Sequence, residues 1–386
     1  MINTNSSIVK QLILLFVVIQ CFVSCAPKIN NTTIDELFSN HDFELTSSII
    51  YAEGFDIYEI NGIKKLVIYN PKNISEVLVT YYLTDSLVYN NYPNSDNLIL
   101  APLEGVAVFS ATQLNAFSKL NLLDKVIAIS ESEYIQNPRV RDLYNSGNIV
   151  NLASNGNFYL EKTLELNPNI IFYSPYNMAQ SHPLAATEIT MIPFFDFMES
   201  NPLGRAEWIK FTALFFDNDD EANQLFDSIE TSYNAFKKIA VNVIERPTVF
   251  SDKYYSGQWF VPGGKSYIAQ LFNDAGADYL WKENPNSASV NMDFEVVYNK
   301  AHNADFWRIV GTYPDGFAYE KLLAENALYE HFDAYNNHKV IFCDSKQTSY
   351  FETGTLEPHV LLADLVHAFH PELLPDYNPV YYKLYN

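Results

Sequence analysis

Residues 203–240 read LGRAEWIKFTALFFDNDDEANQLFDSIETSYNAFKKIA. They hold no proline and one glycine, Gly204, near the start. Trp208, Phe211, Leu214 and Phe215, then Leu225, Ile229, Tyr233 and Phe236, recur at helical spacing. Asn218-Asp219-Asp220 interrupts the apolar repeat. The stretch therefore forms one long helix, roughly 50 Å if continuous at 1.5 Å per residue, or two in succession. Strand and helix patterns alternate on both sides of it. Before it lies Gly105-Val106-Ala107-Val108-Phe109-Ser110, a continuous apolar strand of the kind buried on both faces. A helix near 112–123, a strand at 125–130, a helix at 160–166 and strands at 169–173 and 190–195 follow. After it come a strand at 247–250, a helix at 266–275 with Gly276 as its C-cap, a helix at 294–301, strands at 305–311 and 339–343 around a helix at 322–332, and a helix at 358–369. Such alternation predicts parallel α/β sheets. The reading is two α/β lobes, 101–200 and 243–386, joined by a helical linker, 201–242.

The N-terminal region differs. Lys10 precedes an apolar run, 11–22, that ends in Phe22-Val23-Ser24-Cys25. The run is shorter than the roughly 20 residues a membrane span needs and reads as a signal peptide, 1–24. A small residue before a cysteine resembles the lipoprotein type, which makes Cys25 the expected lipidation site. Residues 25–47 read as a polar tether. Residues 48–100 read as a small β-rich extension, with Asn61-Gly62 as its hairpin turn between runs at 55–60 and 63–69.

Composition and motifs exclude several chemistries. The net charge of −22 argues against nucleic acid, which wants basic patches. Aromatics stand at 15%, with 27 Tyr and 27 Phe, enough to line clefts as well as cores. Cys343 is the one cysteine beyond the N-terminal segment, so no intrachain disulfide is expected. Pro262-Gly263-Gly264-Lys265-Ser266 imitates the end of a phosphate-binding loop, but Trp259 stands where that motif needs glycine. No Gly-x-Ser-x-Gly elbow and no His-Glu-x-x-His helix occur. His359 and His367 lie eight apart, roughly on one helix face, with His370 just beyond, where a bare-metal site needs three or four converging ligands. An enzyme is not expected, nor a resident cofactor or metal.

Several segments carry a family resemblance. In the first lobe they are the 106–110 strand, Leu120-Asn121-Leu122-Leu123-Asp124-Lys125-Val126 and Leu160-Glu161-Lys162-Thr163-Leu164-Glu165-Leu166-Asn167-Pro168-Asn169. At the linker it is Glu199-Ser200-Asn201-Pro202-Leu203-Gly204-Arg205-Ala206-Glu207-Trp208-Ile209-Lys210. In the second lobe they are Trp259-Phe260-Val261-Pro262-Gly263-Gly264-Lys265-Ser266, Asp293-Phe294-Glu295, Glu357-Pro358-His359 and Phe369-His370-Pro371. In this order they resemble the substrate-binding lipoproteins of ABC importers for iron chelates, haem and cobalamin, Bacteroidetes-like in the linker and tail. The resemblance implies the class III periplasmic binding protein fold, two Rossmann-like lobes bridged by a long α-helix. It implies capture of an iron chelate, siderophore or haem, for an ABC permease and its cytoplasmic ATPase subunits. A cobamide is the alternative, ahead of a bare metal or an exported hydrolase. An outer-membrane TonB-dependent receptor would act upstream. The protein would be a monomer, lipid-anchored to a bacterial membrane and facing the periplasm. By motif position Glu161 and Glu295 would each pair with a permease arginine. Sites in such sheets lie at the C-terminal strand ends. The candidate ligand residues are therefore Ser110, Thr112, Tyr173 and Tyr176 in the first lobe, Tyr254, Tyr255, Trp259 and Tyr350 in the second, and Arg205 at the linker, where Glu199 or Glu207 could instead pair with it.

Overall fold

The computed structural model describes residues 33–39, 47–90, 92, 97–175 and 183–385. The signal segment, Cys25 and Tyr176 lie outside the described residues.

The extension is a four-stranded sheet in the order β1 (Phe55–Ile60), β2 (Ile63–Asn70), β3 (Asn73–Thr84), β4 (Leu98–Leu100). Asn61 and Gly62 turn the first hairpin with φ of 50° and 77°, the left-handed pair that a type I′ turn requires.

The first lobe holds β5 (Val106–Val108), β6 (Val126–Ile129), β7 (Val150–Asn151), the hairpin β8 (Ala153–Ser154) and β9 (Asn157–Phe158), then β10 (Ile170–Tyr173) and β11 (Thr190–Pro193). Its main sheet runs β11-β10-β5-β6-β7, parallel throughout. The second lobe holds β12 (Thr248–Ser251), β13 (Tyr254–Tyr255), β14 (Gln258–Val261), β15 (Asp278–Tyr279), β16 (Val290–Met292), β17 (Phe306–Gly311), β18 (Val340–Asp344) and β19 (Lys383–Tyr385). Its main sheet runs β15-β12-β17-β18-β19, parallel except for the antiparallel edge strand β19. A separate antiparallel sheet, β13-β14-β16, lies beside it.

The linker is two helices, the second of the alternatives that the sequence left open. Pro202–Leu214 has 13 residues and Asp219–Ala240 has 22, about 33 Å of helix. Asp217 breaks the run in the left-handed region, at φ 54°. Asp219, Asp220 and Glu221 then occupy the first turn of the second helix, where negative charge suits the helix dipole. The two helices also differ in environment. Asp219–Ala240 is amphipathic. Pro202–Leu214 is buried at nearly every position, and Trp208 packs 4.7 Å from both Phe55 and Phe194.

Burial of that first helix explains the linker motif. Glu207, 0% exposed, accepts the backbone N–H groups of Ile50 (3.0 Å), Tyr51 (2.7 Å) and Ala52 (3.0 Å), and pairs with Lys210 at 2.9 Å. Glu199 accepts those of Glu53 (3.0 Å) and Gly54 (2.9 Å), together with the Trp208 indole N–H at 2.9 Å. Two buried carboxylates thus hold residues 50–54, the strap that leads into β1. The glycines mark the close approach. A Cβ on Gly204 would lie 2.7 Å from the Tyr51 carbonyl oxygen, and one on Gly54 2.8 Å from the Trp208 ring.

Substituting Glu207→Ala strands three amides and the Lys210 ammonium. We expect it to cost about 3–5 kcal/mol in urea unfolding and to expose residues 47–54 to proteolysis. Unchanged stability would refute the strap's role.

Candidate functional site

A cleft opens between the lobes at the C-terminal ends of β5, β6 and β12, where parallel sheets place their ligands. It has two chambers of about 440 Å³ each. Each lies in the 300–1,000 Å³ range of small-molecule sites. Phe197, Tyr267, Tyr350 and Phe351 border both chambers.

The first chamber is mostly apolar, with Phe109, Ile135, Pro202, Leu271, Pro358 and Leu361 in its wall. Ser110, Thr112, Ser130, Glu131, Arg205 and Thr355 supply polar groups among them. Ser110 and Thr112 share a hydroxyl–hydroxyl bond of 2.9 Å where the chain leaves β5 for helix Ala111–Lys119. Arg205 donates its Nε–H to the Asp196 carbonyl at 3.2 Å and lays its guanidinium 4.1 Å over the Tyr267 ring. It pairs with neither Glu199 nor Glu207.

The second chamber reaches a buried polar cluster. Arg308, 4% exposed in the middle of β17, donates to Asp252 (3.1 Å), Ser251 Oγ (3.2 Å), Tyr350 OH (3.1 Å) and Tyr382 OH (2.6 Å). Tyr382 OH donates in turn to Tyr350 OH at 2.8 Å, and the Tyr350 and Tyr267 hydroxyls lie 3.3 Å apart. A line of hydroxyls therefore runs from Arg308 to the ring beneath Arg205. Burial disfavours ionisation of Tyr267, but Arg205 and Arg308 outweigh it and lower its phenol below the ordinary tyrosine range. Burial raises the Asp196 carboxyl to about 6, against the pull of Arg205 and a Thr112 hydrogen bond.

The sequence candidates separate into two groups. Ser110, Thr112, Arg205 and Tyr350 meet at the cleft. Tyr173 ends β10 and packs with the Ile171 and Leu184 cluster instead. Trp259 is a correction: it is a core residue. Alternation along β14 turns it and Val261 inward, and its indole N–H bonds the Ser251 carbonyl at 2.9 Å. Tyr254 packs edge-on against Phe294, and Tyr255, 70% exposed, faces solvent away from the cleft. Sequence reasoning missed Tyr267, Asp252, Arg308 and Tyr382. Only Arg308 left a signal, a lone charge inside the apolar run Phe306-Trp307-Arg308-Ile309-Val310, where burial demands partners.

The histidines do not converge. His367 Nδ1 lies 2.9 Å from the Leu374 carbonyl and His370 Nε2 3.1 Å from that of Gly276. His359 Nδ1 is buried without a partner. Among the described residues no group of three or more His, Cys, Asp or Glu side chains could hold a metal ion. Cys343 is buried, which pushes its thiol up to about 11. Glu161 and Glu295 are exposed, each in the first turn of a helix, Leu160–Leu166 and Phe294–Ala301.

The sequence profile of the periplasmic binding protein family matches residues 106–347, both lobes and the linker between them. The chain belongs to that family. An uncharacterized lipoprotein of Methanocaldococcus jannaschii is 27% identical over 303 residues, 75% of this chain and 70% of the relative. A crystal structure from the ABC-type Fe3+-hydroxamate transport system of Saccharomonospora viridis superposes with a TM-score of 0.56 at 16% identity, over 70% of this chain and 95% of that one. IsdE of S. aureus in complex with haem gives 0.53 at 17%, over 69% and 99%. At these identities the two crystal structures share the fold, with its parallel sheets and helical linker. Periplasmic binding proteins carry solutes to an ABC permease and its ATPase, and bind substrates rather than transform them. No helix among the described residues of this binding protein is long and apolar enough to cross a membrane.

Asp196 makes stability depend on pH. Between its ordinary 3.8 and about 6 the folded protein keeps the proton that the unfolded chain has lost, so stability falls as pH rises through that window. The unfolding free energy of wild type minus that of Asp196→Asn should fall by about 3 kcal/mol at most from pH 4 to 7. A flat difference would refute this assignment.

Proposed function

We propose that this protein is the solute-binding component of an ABC importer and captures an iron chelate, a siderophore or haem, for delivery to an inner-membrane permease. The observation that carries the reading is the cleft's balance of apolar wall, hydroxyls and compensated charge. Arg308 has Asp252 as its counter-ion, and Arg205 has Asp196 beside it. With Glu131 and Glu199 also in the lining, the cleft carries no excess of positive charge, and a captured molecule needs no net negative charge. Aromatic walls bury a rigid chelate at low entropy cost. Hydroxyls and the Arg205 guanidinium supply the few directional bonds that fix its orientation. A chamber of about 440 Å³ suits a compact chelate better than a cobamide, whose corrin ring carries a nucleotide loop.

Cys25 would anchor the protein by lipid, facing the periplasm, with a TonB-dependent receptor upstream. Glu161 and Glu295 would meet permease arginines, one from each lobe. Their exposure leaves both carboxylates available for bidentate pairing.

Tyr and Trp fluorescence quenching tests the ligand. The panel is ferric desferrioxamine B, haemin, cyanocobalamin and ferric ion alone. We expect saturable quenching by a ferric chelate and none by ferric ion. Binding of cyanocobalamin alone, or of the bare ion alone, would overturn the reading. Arg205→Ala should weaken the productive chelate at least tenfold. Glu161→Lys with Glu295→Lys should abolish cellular uptake and leave quenching unchanged; undiminished uptake would remove both from the docking role.

A further inference from the structure

Contacts between the lobes gather on one short segment of the second lobe. Helix Tyr350–Thr353 begins after Ser349, which sits in the left-handed region at φ 55°, an uncommon conformation for a residue with a side chain. The next residues alternate between two tasks. Tyr350 and Phe351 border both chambers, and Gly354 and Thr355 line the first. Glu352 turns to the other lobe. It is 3% exposed and has no cation partner among the described residues. Its carboxylate accepts the backbone N–H groups of Gln136 at 2.9 Å and Asn137 at 3.0 Å. Asn137 is the N-cap of helix Pro138–Asn145, so the carboxylate sits at the positive end of a first-lobe helix.

Two further bonds join the same surfaces. Asn115 Nδ2 donates to the Thr353 carbonyl at 3.3 Å, and Lys119 pairs with Glu357 at 2.8 Å. Both donors lie on helix Ala111–Lys119, which carries Thr112 into the cleft. Lys119 and Glu357 are more exposed than Glu352, and such pairs contribute little. The buried carboxylate is the strongest link, because charge-assisted bonds outweigh neutral ones. It is also reversible, since a released carboxylate and released amides bond to water instead.

We propose that Glu352 is an interlobe latch, which holds the two lobes together along one flank of the cleft and releases them when the 350–355 segment shifts. A molecule entering either chamber meets Tyr350 or Phe351. The latch therefore lies one residue from the surface that senses occupancy. This inference rests on contacts between the lobes and holds whatever the cleft binds.

Amide hydrogen exchange and small-angle scattering on the ligand-free full chain test it. With Glu352→Ala, amides of 111–119 and 136–145 should exchange at least tenfold faster. Those of Phe306–Gly311 in the second-lobe core should not change, and the radius of gyration should increase. Glu352→Gln keeps the volume and loses the charge; it should move the same amides in the same direction by a smaller factor. Acceleration confined to 136 and 137 with an unchanged radius would make Glu352 a local cap and overturn the proposal. Equal acceleration of Phe306–Gly311 would overturn it too, because the loss would then be global. If Glu352→Ala does not fold, Glu352→Gln decides by the same criteria.

Discussion

Helix Pro202–Leu214 carries Arg205, Glu207 and Lys210 into a space with little water. Charges there must find partners or cost several kcal/mol each. Three regions of the molecule answer that demand. The strap at 50–54 supplies amides to Glu207, and to Glu199 just before the helix. Lys210 closes on Glu207. Arg205 turns to the Asp196 carbonyl and the Tyr267 ring. The extension, the first lobe and the second lobe are thus tied to one helix by its own polar groups. The apolar face of that helix, through Trp208 and Phe211, fills the core between them.

The second lobe follows the same rule at Arg308. A guanidinium in the centre of a parallel sheet is retained because Asp252, Ser251, Tyr350 and Tyr382 surround it. Those partners come from the ends of β12, the 350–353 helix and the chain terminus, and so draw three separate segments toward the cleft. The cleft's hydroxyl line is a by-product of keeping one charge satisfied. It also places ordered donors and acceptors on the wall of the cleft.

Much of this was legible in the sequence, for reasons of period and punctuation. The apolar strand runs and the Asn61-Gly62 turn depend on local chemistry, and local chemistry is readable. So was the position of Ser110, Thr112 and Tyr350 at the cleft, because strand ends can be found in a sequence. Trp259 was misread because the end of β12 feeds a hairpin whose own alternation sends that ring into the core. Tyr267 and Tyr382 stayed hidden because their task is defined by Arg205 and Arg308, far away in sequence. The linker motif was recognisable as a pattern. Its cause, a strap about 150 residues upstream, was not.

The hydrogen bond from Arg308 to Tyr382 spans 74 positions of chain, and β19 adds the final edge of the second sheet from residues 383–385. The second lobe therefore cannot complete its charge cluster until residue 382 reaches a strand 74 positions away. Long-range closure of this kind slows folding. The charge cluster and the edge strand thus depend on one short segment, 382–385, so a single pairing event completes both.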